Sequence, residues 1–153
     1  MSKKTAILLI NLGTPESPKV IDVRKYLTEF LNDPRVIDMS WLGRKLLVNG
    51  LIVPLRAPKS AKEYQKLFDA NDGKSPLLIH GKKLKEELQK EYTTEDNVTV
   101  ELAMRYGNPS IKSALDILKS QNFDSIVVVP LYPHYAASST GTVMEEVMRV
   151  VSK

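Results

Sequence analysis

The sequence has 153 residues, about the length of one globular domain, with 42% hydrophobic and 26% charged residues. It contains no cysteine, which excludes disulfides and thiolate-bound metal clusters. The net charge of +4 is mild, and no basic stripe is interleaved with aromatic residues, so nucleic-acid binding is not predicted. A small positive charge suits instead an anionic small ligand or loose contact with an anionic membrane surface.

No part of the sequence has the composition of a targeting or membrane-spanning segment. The apolar residues before Asn11 are too few for a signal peptide, and no stretch approaches the roughly 18 apolar residues of a membrane span. The longest apolar run, residues 41–55, is interrupted by glycine, proline and basic residues. We therefore expect a soluble, cytoplasmic protein with at most peripheral membrane contact.

The first predicted element is a strand over residues 6–11, a short continuous apolar run typical of a strand buried on both faces. Residues 13–16 have the composition of a turn. Ser17 is then placed to cap a helix with Pro18 at its first position. Apolar residues follow at helical spacing until Asn32, Asp33 and Pro34 end this helix.

The rest of the sequence continues the alternation of helices and strands. Two helices are predicted at residues 41–53 and 61–68, separated around Pro54 and Pro58 because proline interrupts a helix. Periodicity predicts the remaining elements as a helix over residues 77–92, a strand over 98–104, a helix over 110–120, a strand over 125–130 and a helix over 142–151.

Buried strands that alternate with helices predict an α/β fold: one domain over residues 1–153, with three layers and a doubly wound parallel sheet. In such a sheet, ligands bind beyond the carboxyl ends of the strands. We therefore expect the functional residues in three loops, at residues 12–15, 105–108 and 132–141.

These loops and several other segments together resemble the ferrochelatase family. The similar segments occur in order along nearly the whole chain: NLGTPE at 11–16, VRKYL at 23–27, FLNDPRVI at 30–37, RAPK at 56–59 followed by Tyr64, GKSPL at 73–77, MRYG at 104–107, YPHY at 132–135 and SSTG at 138–141. The resemblance implies a chelatase-like fold, as the first of two similar domains. It also implies insertion of Fe(II) into protoporphyrin IX to give protohaem, the last step of haem biosynthesis.

The resemblance assigns roles in porphyrin binding to five residues of this sequence. It implies that Leu12 lies over the macrocycle, where leucine can only pack. Arg56 and Ser75 stand at positions that hold propionates, and arginine matches a carboxylate bidentately. The resemblance also implies that Arg105 and Tyr106 face the floor of the cleft near the pyrrole nitrogens.

The third loop carries three further residues that we expect to bind substrate: Tyr132, His134 and Ser138. Imidazole suits Fe(II), so His134 is also a candidate metal ligand. The family's catalytic histidine, however, lies in a Ser-Ala-His-Ser-Leu-Pro motif that this sequence lacks. We therefore expect His134 to line the cleft without ligating metal, and His80, flanked by lysines in a predicted helix, to face solvent.

The sequence lacks several residues that bind cofactors or catalyse in members of the family. Ala137 stands where some family members have a cysteine that binds an iron–sulfur cluster, so we expect no cluster here. We also expect no tightly bound cofactor. The resemblance implies that Fe(II) is a substrate. The sequence ends at Lys153, at about half the family's length, without the catalytic histidine and glutamate of the second half. We expect this chain to fold, to associate with itself through an exposed domain interface, and not to catalyse.

Three other functions remain open at this stage. Coproporphyrin is an alternative substrate, although Leu12 in place of a tyrosine favours protoporphyrin. A chelatase for another metal and tetrapyrrole, such as cobalt, is a second alternative, which the lack of any histidine before His80 disfavours. A porphyrin- or haem-binding module without activity is the third, and porphyrin binding without metal insertion would identify it.

Overall fold

The computed structural model describes residues 3–92 and 97–152, so residues 1, 2, 93–96 and 153 of the predicted domain lie outside the described residues. The described strands are β1 (Thr5–Gly13), β2 (Val98–Tyr106) and β3 (Ser125–Pro130). The described helices are α1 (Val20–Leu31), α2 (Trp41–Leu47), α3 (Val53–Asp69), α4 (Pro76–Lys90), α5 (Ile111–Ser120) and α6 (Thr142–Val151). Two π-helical turns, Val48–Ile52 and Ala137–Gly141, precede α3 and α6.

The three strands form one parallel sheet in the order β2-β1-β3, as the alternation of strands and helices predicts. Thr5 in β1 pairs with Val98 in β2 and with Ser125 in β3. At the other end of β1, Gly13 pairs with Tyr106. The carboxyl ends of all three strands therefore lie at one edge of the sheet.

Helices cover both faces of the sheet, which confirms the predicted three layers. On one face, Leu8 and Ile10 of β1 pack with Leu115, Leu118 and other buried side chains of α5 and α6. On the other face, Leu9 and residues of β2 pack against α4, while α1 and α3 pack with each other and around the end of β2. Full burial of one leucine side chain contributes roughly 1.5–3 kcal/mol.

The predicted start of the first helix is wrong by a few residues. The helix begins at Val20, and its N-cap is Lys19, whose side chain makes no capping hydrogen bond. Ser17 does not cap it: the Ser17 hydroxyl donates to the carboxylate of Asp22 and accepts the backbone N–H of Lys19 at 3.2 Å. Because these bonds close a turn before the helix, Pro18 lies outside it.

The predicted break around Pro54 and Pro58 is also wrong. α2 continues through the π-helical turn Val48–Ile52 into α3, which contains both prolines. Pro54 is the second residue of α3, just after the π-helical turn, and the helix continues through it. Pro58 lies in the helix interior, and tertiary packing outweighs its local cost, because one face of α3 is buried through Val53, Ala57, Ala61 and Phe68. No helix within residues 3–92 and 97–152 is long and apolar enough to cross a membrane.

Gly13 closes the contact between β1 and β2 at the edge where the three strands end. Its φ is +117°, and a β-carbon there would lie 1.8 Å from the carbonyl oxygen of Tyr106. Gly13→Ala should therefore lower the free energy of unfolding by at least about 3 kcal/mol, measured by urea denaturation. Gly50→Ala is the matched control, because a β-carbon at Gly50 meets no atom within 4 Å. Equal denaturation midpoints for the two variants would contradict the prediction.

Candidate functional site

The candidate site lies at the carboxyl ends of the strands, where the predicted loops meet. β1 ends with Leu12 and Gly13, β2 ends with Arg105 and Tyr106, and Tyr132 lies just after β3. The parallel register brings these ends to the same edge of the sheet. The three loops expected to carry functional residues therefore meet at one edge of the sheet, and substrate binding there stays a prediction.

Arg105 is held by two hydrogen bonds from different parts of the fold. Its Nη2 donates to Oδ2 of Asp33 at 2.5 Å, and its Nε donates to the carbonyl oxygen of Thr142, the first residue of α6, at 3.0 Å. Its Cζ lies 4.4 Å from the centroid of the Tyr106 ring, a cation–π distance. The side chain is 14% exposed, and these bonds use two of its five N–H donors. The guanidinium is thus fixed while retaining donors for another group.

Tyr106 is fully buried, and its ring packs edge-on against Phe30 with centroids 5.1 Å apart. Its hydroxyl donates to Oδ2 of Asp33 at 2.9 Å. Burial raises the pKa of Tyr106 well above the ordinary tyrosine value, so the phenol stays neutral. Tyr106 is thus held in the interior between Asp33 and Phe30, and direct contact with substrate stays a prediction.

Asp33 is the residue of this site that sequence reasoning missed. Its side chain is 4% exposed, and its carboxylate accepts hydrogen bonds from Arg105, from Tyr106 and from the backbone N–H of Arg35 at 2.8 Å. The sequence indicated only that Asp33 ends a helix. Its place within a segment similar to the ferrochelatases was the available signal, but burial of this carboxylate depends on contacts distant in sequence.

Tyr132 lies beside Arg105, and its hydroxyl oxygen is buried without a hydrogen-bond partner among the described residues. Burial raises the pKa of Tyr132 to about 12, although the nearby Arg105 charge opposes the shift. The phenol therefore stays protonated at neutral pH, and its contact with substrate stays a prediction. The structure thus places Arg105 near both Tyr106 and Tyr132.

The residues expected to hold propionates are in two separate places. Arg56 is exposed on α3 and makes no ion pair with the described residues. Leu12, which is expected to pack on the macrocycle, is partly buried against the hydrophobic cluster of α1 and α3. Ser75, only 5% exposed, is the N-cap of α4, but its side chain caps no N–H of that helix. It lines an open pocket whose lining does not include Arg56.

The surroundings of Ser75 carry charges of both signs. A helix N-terminus presents backbone N–H groups and a partial positive charge, and Lys74, which also lines the pocket, adds a full one. Glu16 lines the same pocket, and its carboxylate opposes a second anion. Propionate binding at Ser75 therefore stays a prediction, and this arrangement does not support contact of one propionate with both Ser75 and Arg56.

The remaining predicted residues, His134 and Ser138, are exposed in the segment between β3 and α6. His80 is exposed on α4, as its flanking lysines predict. Within the described part of the chain, no group of three or more histidine, cysteine, aspartate or glutamate side chains is arranged to hold a metal ion. Substrate contacts of His134 and Ser138 stay predictions.

Comparisons with known proteins agree with the motifs. The ferrochelatase family model matches residues 4–153. The ferrochelatase of Francisella tularensis subsp. tularensis (strain WY96-3418) is 45% identical over 150 residues, which cover 98% of this chain and 44% of the relative. The ferrochelatase of Francisella tularensis subsp. novicida (strain U112) matches with the same identity and coverage. The chain thus spans less than half the length of the curated relatives it matches. With its parallel sheet, its site at the strand ends and a family match over nearly every residue, this chain belongs to the ferrochelatase family.

Proposed function

We propose that this chain is the N-terminal half of a ferrochelatase, a lyase that inserts Fe(II) into protoporphyrin IX to give protohaem in haem biosynthesis. The observation that carries the proposal is the cluster of Arg105, Asp33, Tyr106 and Tyr132 at the strand ends of a ferrochelatase-family domain. The names of the relatives support iron insertion over other tetrapyrrole chelations. We call the protein extended to the length of its relatives the full-length enzyme.

The chemistry requires two pyrrole N–H protons to leave as iron enters the ring. A cation near the macrocycle stabilises a pyrrole nitrogen that has lost its proton, and Arg105 is a cation fixed in place. Leu12 offers an apolar surface for one face of the ring. A cleft that holds the ring bent stabilises the transition state, and this half supplies one wall of that cleft. In the proposal, the base and the iron ligand come from the remainder of the full-length enzyme.

A metal-insertion assay with the full-length enzyme tests the proposal. We expect anaerobic Fe(II), or Zn(II) as its substitute, to quench protoporphyrin fluorescence at a rate proportional to enzyme concentration. Coproporphyrin in a parallel assay distinguishes the two porphyrin substrates. Porphyrin binding without insertion would contradict the proposal and favour a binding module.

We also propose that no iron–sulfur cluster or other tightly bound cofactor takes part in the reaction within this half. The absence of cysteine supports this, because clusters are held by cysteine thiolates. Metal and acid-labile sulfide analyses of the purified protein test it: stoichiometric iron together with acid-labile sulfide, or a stoichiometric chromophore other than porphyrin or haem, would contradict it.

Arg56 should contribute to porphyrin binding more than to turnover. A charge-assisted hydrogen bond to a propionate far from the reacting nitrogens stabilises ground and transition states alike. Arg56→Ala in the full-length enzyme should therefore raise KM for porphyrin about tenfold and leave kcat within about twofold. Lys62→Ala, which removes another exposed cation from α3, is the matched control. An unchanged KM for Arg56→Ala would remove Arg56 from the substrate site.

We further propose that the enzyme is cytoplasmic and contacts a membrane peripherally. The support is an apolar surface on α2 and the start of α3, where five large side chains are 54–68% exposed: Trp41, Leu42, Leu46, Leu51 and Leu55. Leu46→Glu should lower flotation of the full-length enzyme with phosphatidylglycerol-containing vesicles, because a charge opposes insertion of this surface among lipids. Ile117→Glu on α5 is the control. Equal flotation of both variants would contradict the proposal.

A further inference from the structure

Asp33 joins three elements of the fold at the candidate site. It follows the end of α1, and its Oδ2 accepts hydrogen bonds from Nη2 of Arg105 at 2.5 Å and from the hydroxyl of Tyr106 at 2.9 Å, both at the end of β2. Arg105 in turn donates from Nε to the carbonyl oxygen of Thr142, where α6 begins. The guanidinium is therefore clamped between a carboxylate on one side and a helix start on the other.

The position of Asp33 is itself fixed. Its Oδ1 accepts the backbone N–H of Arg35 at 2.8 Å, and its backbone carbonyl accepts the N–H groups of Val36 and Ile37, both at 3.0 Å. The side chain is 4% exposed, so little water competes for the carboxylate and its charge acts strongly on the guanidinium. A carboxylate held in this way can orient a long, flexible arginine side chain.

We propose that Asp33 is a positioning residue for metal insertion: it holds the guanidinium of Arg105 in the orientation that faces the pyrrole nitrogens. The proposal rests on the proposed function, in which Arg105 stabilises the deprotonated ring. Asp33 itself is buried beneath Arg105 and touches neither porphyrin nor iron. The hydroxyl of Tyr106 donates to the same carboxylate oxygen and limits where Asp33 can move. Tyr106 therefore contributes only indirectly to the orientation of Arg105.

The test compares kinetic constants of variants of the full-length enzyme. Asp33→Asn keeps the size of the side chain but removes its charge, and we expect kcat to fall about tenfold or more with KM for porphyrin within about twofold. In an Arg105→Leu background, Asp33→Asn should lower kcat no further, because the residue it orients is already gone. Asp33→Asn should also raise the unfolding temperature of the Arg105→Leu variant, because it removes a buried carboxylate charge that has lost its cation.

Glu101→Gln is the matched control. Glu101 lies on the same strand as Arg105 and pairs with Lys85 at 2.5 Å, in a partly buried ion pair away from the site. Its loss should leave kcat unchanged. Wild-type kcat for Asp33→Asn, or losses that multiply when Asp33→Asn and Arg105→Leu are combined, would overturn the proposal. A wild-type enzyme without insertion activity would overturn the proposed function instead.

A measurement on the unmodified full-length enzyme keeps the proposal testable if Asp33→Asn does not fold. In ¹⁵N nuclear magnetic resonance spectra, the guanidinium of Arg105 should show a protected Nε–H and slow rotation about its Nε–Cζ bond, since two different groups hold it. A rapidly rotating, unprotected guanidinium would overturn the positioning role.

Discussion

Arg105→Leu in the full-length enzyme should lower kcat for metal insertion about 100-fold, with a much smaller change in KM for porphyrin. The guanidinium is fixed by Asp33 and Thr142 before any substrate binds. Its charge therefore acts on the developing negative charge of the ring nitrogens without a cost of reorganisation. Initial rates over a range of porphyrin concentrations separate kcat from KM.

The same substitution should also destabilise the fold, and the two effects must be measured separately. Leucine leaves the carboxylate of Asp33 buried without its cation, which costs about 3 kcal/mol. Thermal unfolding establishes whether the variant is folded at the assay temperature. Lys112→Leu is the control, because Lys112 and its partner Asp116 on α5 are both more than half exposed, so neither kcat nor stability should change appreciably. Wild-type turnover in folded Arg105→Leu would limit Arg105 to a structural role.

The 153-residue chain by itself should fold and insert no metal. Folding is expected because the described part contains a parallel sheet covered on both faces by helices. Catalysis is not expected, because a single wall cannot hold a macrocycle bent from both sides. Among the described residues, no side-chain cluster is arranged to deliver iron either.

A fluorescence assay of porphyrin loss with ferrous or zinc ion, at several concentrations of the chain, measures this directly. Sedimentation velocity on the same samples tests self-association, which we expect because residues of β3 and α6 leave apolar side chains exposed: Ile126, Val127, Met144, Met148 and Val151. The full-length enzyme is the positive control. Insertion that increases with the square of chain concentration would contradict the prediction and would mean that two copies form a working cleft.

The sheet was predictable from sequence because each strand contains a short, continuous apolar run, and the predicted third strand coincides with Ser125–Pro130. The continuous connection between α2 and α3 was not predictable from the sequence. Local rules place a break at Pro54 and Pro58, whereas the helix persists because Ala57 is buried against α1. Such packing depends on which surfaces meet in three dimensions, and no local pattern encodes it.

That the expected residues lie at one edge of the sheet was predictable, whereas their contacts were only partly predictable. Arg105 and Tyr132 could be placed at the carboxyl edge because they follow predicted strands. The burial of Tyr106 and its contact with the Asp33 carboxylate could not be predicted, because Asp33 and Arg105 are 72 residues apart in sequence. The separation of Ser75 from Arg56 likewise depends on how α3 and α4 pack.

The central position of β1 has a consequence for how the protein is made. Thr5 and Ser125 are 120 residues apart, so β1 gains its second neighbour only after a further 120 residues have been synthesised. At typical rates of translation this delay is roughly 6 to 24 seconds. During that time the apolar strand lacks part of its native pairing, and pairing between such distant segments is intrinsically slow. The nascent chain should therefore depend on chaperones during synthesis more than a protein whose neighbouring strands are consecutive in sequence.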